Sequence, residues 1–405
     1  MTDQENNAPL LLDVTRQVWR RWVGVRSTGI DRICDAWMRH FAPNSQAVII
    51  TRRRQVILPV AASQALFAAL AAPLPANGSS ANFRRSVIAI ALRWGWCWLR
   101  NLDGKGRFWL NAGHTGLHNT NLSDWCSRAD VRPIYLVHDL IPITHPQYCR
   151  PGVDAIHVKR IHTVLKSATG VVANSQHTLD TLRAFANSVG MELPHAVVAW
   201  PGSARLHAEP DRSAPKSHAA TFVILGTIEG RKNHALLLSV WKRLIAMQGD
   251  VCPTLIIVGR RGWEADDVFT LLETHDFQRK VIEAGPLDDE ALAKVLGHAN
   301  ALLFPSHAEG FGIPLVEALA AGIPVIASDL AVFREIAGDI PELLAPDDED
   351  AWIAALMEYA RDGSTRRNQQ IERMKGYVAP TWTEHFARID KLLDKLSADE
   401  RQAAI

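Results

Sequence analysis

The residues best placed to do chemistry lie in residues 305–317, PSHAEGFGIPLVE. There Glu309 and Glu317 stand eight apart around Gly310, Phe311, Gly312, Ile313 and Pro314. Glycines let a backbone approach a ligand closely. A proline suits the first turn of a helix. The segment therefore reads as a turn that feeds a helix N-terminus. Such an end presents unpaired N–H groups and a positive dipole end to phosphate. That makes it a seat for a nucleoside diphosphate, with Glu317 about one turn into the helix, able to chelate two ribose hydroxyls, and Glu309 ahead of the turn. A second segment supplies cations: in GTIEGRKNH, Gly226 opens a loop that carries Arg231 and Lys232. Positioned cations stabilise charge that develops on a leaving phosphate. Arginine contributes a planar bidentate grip and lysine a compact charge.

Other candidates read differently. His138 ends an apolar run and reads equally as a hydrogen-bonded core histidine or a site histidine, while Asp139 beside it suits a turn cap. His114 and His118 have a helical metal-ligand spacing, but Gly113 and Gly116 favour a loop, and no further ligands cluster nearby. The acidic run at 347–350 reads as a solvated helix start. No metal site and no resident cofactor are expected.

These residues need elements to hold them. Short apolar runs alternate with helical patterns along most of the chain, as in parallel βα units whose strands are buried on both faces. In the first half, strands are expected at residues 9–14, 47–51, 107–111, 133–138, 170–173 and 197–200. A glycine turn at residues 27–32 is expected to join the first of them to a helix running through Phe41. In the second half, strands are expected at 221–225, 254–258, 281–283, 301–304 and 324–327. Gly29, Gly113, His138, Ser175, Gly226, Gly259, Gly285 and Ser306 fall at or just after the carboxyl ends, where ligands bind in such sheets. Residues 205–219 are polar and proline-bearing and read as a linker. This divides the chain into an N-terminal α/β domain (1–204), the linker, a second α/β domain (220–380) and a final helical segment (381–405).

Composition bounds the function. The chain has 405 residues, 47% hydrophobic and 21% charged, with a formal net charge of +1. That excludes wholesale disorder, and a nucleic-acid partner is not expected. Five scattered cysteines, with no Cys-x-x-Cys, fit neither a zinc site nor a disulfide framework and suit a reducing, cytoplasmic compartment. The polar N-terminus lacks signal-peptide character. Residues 55–83 carry no charge but are broken by Pro59, Pro73 and Pro75, so a helix near residues 61–71 in a soluble domain is expected rather than a membrane span. Residues 84–100, RRSVIAIALRWGWCWLR, set Trp94, Trp96 and Trp98 among arginines, a composition suited to peripheral contact with a membrane face.

The motif EGFGIPLVEALAAGIPVIASD resembles the Glu-x7-Glu signature of retaining GT-B glycosyltransferases of the large family 4 group (group 1). The resemblance extends over nearly the whole chain. Gly226, Arg231 and Lys232 look like the family's loop that grips the donor diphosphate. His138 through Pro142, with Tyr148, is similar to the first-domain segment of bacterial mannosyltransferase-like members. Residues 27–32 resemble the glycine loop after the first strand, which brings in Gly29. Trp382 and the helix after it resemble the terminal helix that returns to the first domain. The pattern departs at Thr227, where many members have Arg, and at Gly230, where close relatives often have Pro, so Arg231 carries that charge alone.

The resemblance implies a GT-B fold, two Rossmann-like α/β domains facing across a cleft. It implies a hexosyltransferase with Glu309, His138, Arg231 and Lys232 at the reaction. Glu317, Gly310, Phe311, Gly312, Ile313, Gly226 and Gly29 would hold the donor. The donor would be a nucleotide sugar, GDP-mannose first and a UDP- or dTDP-sugar second, bound without metal. The acceptor would be a lipid-linked or surface polysaccharide. A nucleotide-sugar epimerase or a non-catalytic scaffold of the same fold stand as the alternatives.

Overall fold

The computed structural model describes residues 8–24, 29–51, 54–73, 80–95, 103–203 and 220–403. The expected linker at 205–219, Ser27 and Thr28 of the glycine turn, and Trp96 and Trp98 lie outside the described residues.

The chain forms two compact units. The first comprises the described residues up to Leu140, Ala155–Pro201 and the helix Trp382–Ala403. Its sheet has seven strands: β1 (Leu10–Asp13), β2 (Ser45–Ile50), β3 (Gln55–Ile57), β4 (Arg107–Asn111), β5 (Val131–Val137), β6 (Gly170–Ala173) and β7 (His195–Val198). The order is β3-β2-β1-β4-β5-β6-β7, parallel throughout except that β3 runs antiparallel to β2. The second unit comprises Ile141–Asp154 and Gly202–Thr381. Its six strands are β8 (Thr221–Leu225), β9 (Thr254–Val258), β10 (Val281–Gly285), β11 (Ala301–Phe304), β12 (Val325–Ser328) and β13 (Glu342–Leu344). They lie in the order β10-β9-β8-β11-β12-β13, all parallel.

Both orders reverse direction beside their first strand, between β1 and β4 and between β8 and β11. In an open parallel sheet that reversal leaves a crevice at the strand carboxyl ends, the usual ligand position. The loops opening there are 226–232 after β8 and 305–312 after β11, the two segments with the strongest chemical signals. Buried strand residues such as Phe222, Ile224, Leu255 and Leu303 anchor these loops against Trp241, Trp352 and Tyr359, all fully buried.

Three points differ from the sequence expectation. First, β1 does not run into a glycine turn. A helix, α1 (Thr15–Val23), intervenes, and Gly29 is the first residue of a second helix, α2 (Gly29–Phe41), rather than the turn after β1. The Trp, Arg and Gln content of α1 masks it, because its only buried residue is Gln17. Second, the short edge strands β3 and β13 carry too few residues to show a period. Third, Ile141–Asp154 groups with the second unit although it precedes the linker. Within that unit Tyr148 stacks on His307 at 4.5 Å between ring centroids, and the Arg150 guanidinium lies 4.8 Å from the Trp263 ring. Between the uncharged helix α3 (Val60–Ala71) and the later strands lies α4 (Ala81–Trp94).

The terminal helix packs through Phe386, Ile389, Leu392, Leu393 and Leu396, a helical spacing that puts one apolar face inward. His385 on it is 1% exposed and fully engaged. Its Nε2 accepts from Trp37 Nε1–H at 2.9 Å, and Nδ1 lies 3.0 Å from the Ala199 carbonyl and 3.1 Å from that of Trp200. That arrangement needs a neutral ring with its proton on Nδ1. Burial pushes the imidazole down to about 4 from 6.5, the two carbonyls opposing it. A depressed pKa means the unfolded chain takes up the proton first. The stabilisation is therefore present above about pH 6.5 and is lost as pH falls through about 4. Between those limits the native chain should lose about 3 kcal/mol more unfolding free energy than His385→Gln. Urea denaturation across that range tests it, and parallel curves for the two proteins would refute it.

Candidate functional site

The second sheet's switch point gathers four charged side chains from two loops. After β8, Gly226 turns the chain with φ +142°, and a short 3-10 turn, Gly230–Lys232, sets Arg231 and Lys232. Asn233, at φ 56°, then caps the helix His234–Gln248 by accepting from Leu236 N–H. After β11, Ser306 and Glu309 come forward before Gly312, at φ 109°, starts the helix Ile313–Ala320. A Cβ on Gly312 would lie 2.7 Å from the Phe333 ring, so both space and backbone conformation require glycine.

The loops meet on one oxygen. Glu309 Oε1 accepts from Lys232 Nζ at 2.5 Å and from Ser306 Oγ at 2.8 Å, and Arg231 Nη1 lies 2.8 Å away. Arg231 is held from other sides too: its Nε pairs with Glu229 Oε1 at 2.7 Å, and Nη1 donates to the Ala308 carbonyl at 3.1 Å. The backbone adds His307 N–H to the Arg231 carbonyl at 2.8 Å. Lys232 Nζ also lies 4.5 Å from the Phe304 ring centroid.

Glu229, Lys232 and Glu309 are all buried. Burial alone would raise the Glu309 carboxyl, but Arg231 and Lys232 outweigh it and hold it at about 2. Burial draws Lys232 downward, with Glu309 opposing. The two cations are matched by two buried carboxylates, Glu229 and Glu309. Glu229 gives no signal as a motif residue. Its role follows from position, two residues before Arg231 in extended backbone (φ −143°, ψ 157°), a relation visible only in space. His234 is a second residue that the motifs do not reveal. It is buried, neither ring nitrogen has a partner among the described residues, and burial beside Lys232 pushes it down to about 3.

The loop around Gly226 is closely packed. A Cβ on Gly230 would lie 2.7 Å from the Glu264 carbonyl oxygen, and Thr227 Cγ2 fills the space over Gly262. Gly259, at the end of β9, lies so close to the Gly226 carbonyl that a Cβ would fall 1.8 Å from it. Glu317 is 2% exposed on the helix, and Phe311 and Gly312 lie against its N-terminus, with Gly310 and Ile313 on either side.

His138 belongs to the first unit, at the end of β5, and is described with it. Its Nε2 lies 2.7 Å from the Ala112 carbonyl, so the proton is on Nε2. The buried Nδ1 has no partner among the described residues and is left as an acceptor. Burial lowers this imidazole, with the Ala112 carbonyl and Asp139 opposing. His114 packs 4.9 Å from it and bonds to the Leu136 carbonyl. At this sheet's switch point lies Asp13, unnoticed in the sequence because it merely ends a strand. Its Oδ2 accepts from Asn111 at 3.2 Å, and burial pushes it up to about 7 against the Thr15 hydrogen bonds. Gly29 opens α2 in this same unit. Among the described residues no three His, Cys, Asp or Glu side chains cluster to hold a metal.

The Lys232–Glu309 pair is a test of its own. Removing one partner of a buried pair leaves an uncompensated charge at a cost of about 3–5 kcal/mol. Glu309→Gln should lose about that much in urea denaturation, whereas Glu309→Gln with Lys232→Met should recover most of it. A double variant as unstable as the sum of its parts would show that the pair is not coupled.

Residues 208–376 match the family model described as Glycosyl transferases group 1. The serotype-specific mannosyltransferase WbdA of Escherichia coli is 28% identical over 262 residues, 58% of this chain and 31% of the relative. The O-antigen chain mannosyltransferase B of Escherichia coli is 34% identical over 142 residues, 35% of this chain and 37% of that one. The chain thus spans about a third of the length of these curated relatives. Among solved structures, Anabaena HepE in complex with UDP superposes with a TM-score of 0.59 at 15% identity, over 98% of this chain and 99% of that one. This likeness is one of fold: two parallel-sheet α/β domains of the GT-B kind.

Proposed function

We propose that this chain, whose residues 208–376 match the group 1 glycosyltransferase model, is a hexosyltransferase that moves a mannosyl residue from GDP-mannose, with retention, onto a lipid-linked or surface polysaccharide. The observation that carries the reading is the placement of Arg231, Lys232 and Glu309 at the switch point of the second sheet, beside a glycine-started helix bearing Glu317. The sugar assignment draws on the mannosyltransferases it resembles.

In this reading the helix N-terminus and the two cations receive the donor diphosphate, and Glu317 binds the ribose. The bond from the anomeric carbon to the diphosphate oxygen breaks as the acceptor oxygen bonds on the same face. The acceptor proton passes to the leaving phosphate. Arg231 and Lys232 neutralise the charge that develops there. As the diphosphate arrives, they exchange part of their hold on Glu309 for phosphate, which leaves that carboxylate to orient the sugar. On the first unit, His138 keeps an unprotonated Nδ1 as a hydrogen-bond acceptor, and its assignment to the reaction rests on the family resemblance. Two cations and a helix dipole make a metal unnecessary.

Titration of thermal stability with GDP, UDP, ADP and dTDP, with and without EDTA, tests the seat. GDP at a hundredfold its Kd should add about 2.7 kcal/mol, unchanged by EDTA. Lys232→Ala should abolish that shift and lower nucleotide release from GDP-mannose by about 10²–10³, roughly 3–4 kcal/mol. Near-normal turnover in that variant, or no shift with any nucleotide, defeats the proposal.

A further inference from the structure

Two helices of the first unit bury almost nothing. In α4, 14 residues long, Phe83 is the one buried residue. Ile88 is 49% exposed and Leu92 82%. In α1 only Gln17 is buried, while Trp19 is 57% exposed and Trp22 and Val23 lie open beside it. The neighbouring α3 shows the ordinary case: it turns Ala62, Ser63, Leu66, Phe67 and Leu70 inward. Helices this short are marginal in water, and most are held by an apolar face packed on a core. In α1 and α4 much of the apolar surface points the other way.

The outward residues form one surface. Trp19, Trp22 and Val23 follow the i, i+3, i+4 spacing of a single helical face. Arg84, Ile88 and Leu92 follow i, i+4, i+8 on α4. Arg84 joins the two rows: its guanidinium lies 5.7 Å from the Trp22 ring, and its Nε donates to the Trp22 carbonyl at 2.9 Å. Arg93 in turn lies 4.9 Å from the Trp94 ring. The charge on this surface has one sign. Neither α1 nor α4 contains Asp or Glu, and α3 contains no charge at all. Carboxylates facing α1 come from α2. Asp31 pairs with Arg16 and Arg20 at 2.6 and 2.8 Å, and Asp35 lies near Arg21. Arg84, Arg85 and Arg93 on α4 are exposed and make no ion pair to a carboxylate among the described residues.

We infer that the face built from α1 and α4 docks on an anionic phospholipid surface. Indole and aliphatic side chains enter the headgroup boundary, and the arginines meet lipid phosphates. Arginine and tryptophan with no carboxylate complement a surface that is anionic everywhere and apolar just beneath. The inference rests on this surface alone and holds whatever sugar is moved. It extends the expectation made for residues 84–100 by bringing in α1, whose tryptophans lie more than sixty positions earlier in the chain.

Co-sedimentation of the full chain with vesicles decides it. The protein should pellet with phosphatidylcholine vesicles containing phosphatidylglycerol, should stay in solution with phosphatidylcholine alone, and should be released by high salt. Each arginine at an anionic surface is worth about 1 kcal/mol, about fivefold in affinity. Arg85→Gln with Arg93→Gln should therefore weaken the partition about 25-fold without moving the thermal midpoint. Trp19→Ser with Leu92→Ser should weaken it further, including at low salt, where the arginines are intact. Absence of recruitment to anionic vesicles, or equal recruitment to both kinds, overturns the inference. So does a dimer in lipid-free buffer that Leu92→Ser separates into monomers, since the face would then be a self-interface.

Discussion

One carboxylate oxygen ties the second unit's chemistry together. Glu309 Oε1 is shared by Lys232, Arg231 and Ser306, and through it the loop after β8 is bound to the loop after β11. Each of these groups would be costly to bury alone. Together, with Glu229 on the far side of Arg231, they form two cations against two anions. The cations are therefore held at a fixed place rather than on flexible stems in water. Preorganised charge is what stabilises a developing phosphate charge, because no reorganisation is needed when the charge appears.

The sheet is what makes that arrangement possible. Strand order β10-β9-β8-β11-β12-β13 puts β8 and β11 side by side, so segments 77 positions apart open onto one crevice. The glycines serve that closeness. Gly259 lets the turn after β9 touch the turn after β8, and Gly312 lets the helix start against Phe333. In the first unit the same order beside β1 brings Asp13 to Asn111 at the matching position.

The first unit carries a different kind of order. His385 on the terminal helix fastens Trp37 to the carbonyls at Ala199 and Trp200, so the last helix of the chain is locked into the sheet that the first strand begins. On the same unit, α1 and α4 leave tryptophans and aliphatic residues outward. Core and surface here obey one rule, that apolar area is withdrawn from water, and the second surface is the one left open among the described residues.

By itself the sequence determined the fold class and most of the strands. Arg107–Asn111, Gly170–Ala173, Thr221–Leu225, Thr254–Val258 and Ala301–Phe304 fall where continuous apolar runs place them, because a strand covered on both faces has no other composition available. It also marked Glu309, Glu317, Arg231 and Lys232, since charged residues beside glycines at strand ends are a local signal. Only the tertiary structure decided what these groups touch. That Lys232 answers to Glu309, that Glu229 grips Arg231, that Gly29 opens a helix instead of a turn, and that α1 joins α4 in one face all depend on pairing between distant segments. Periodicity reports how one element meets the core. It carries no information on which other element will lie beside it, and that neighbour sets the charge balance of a site.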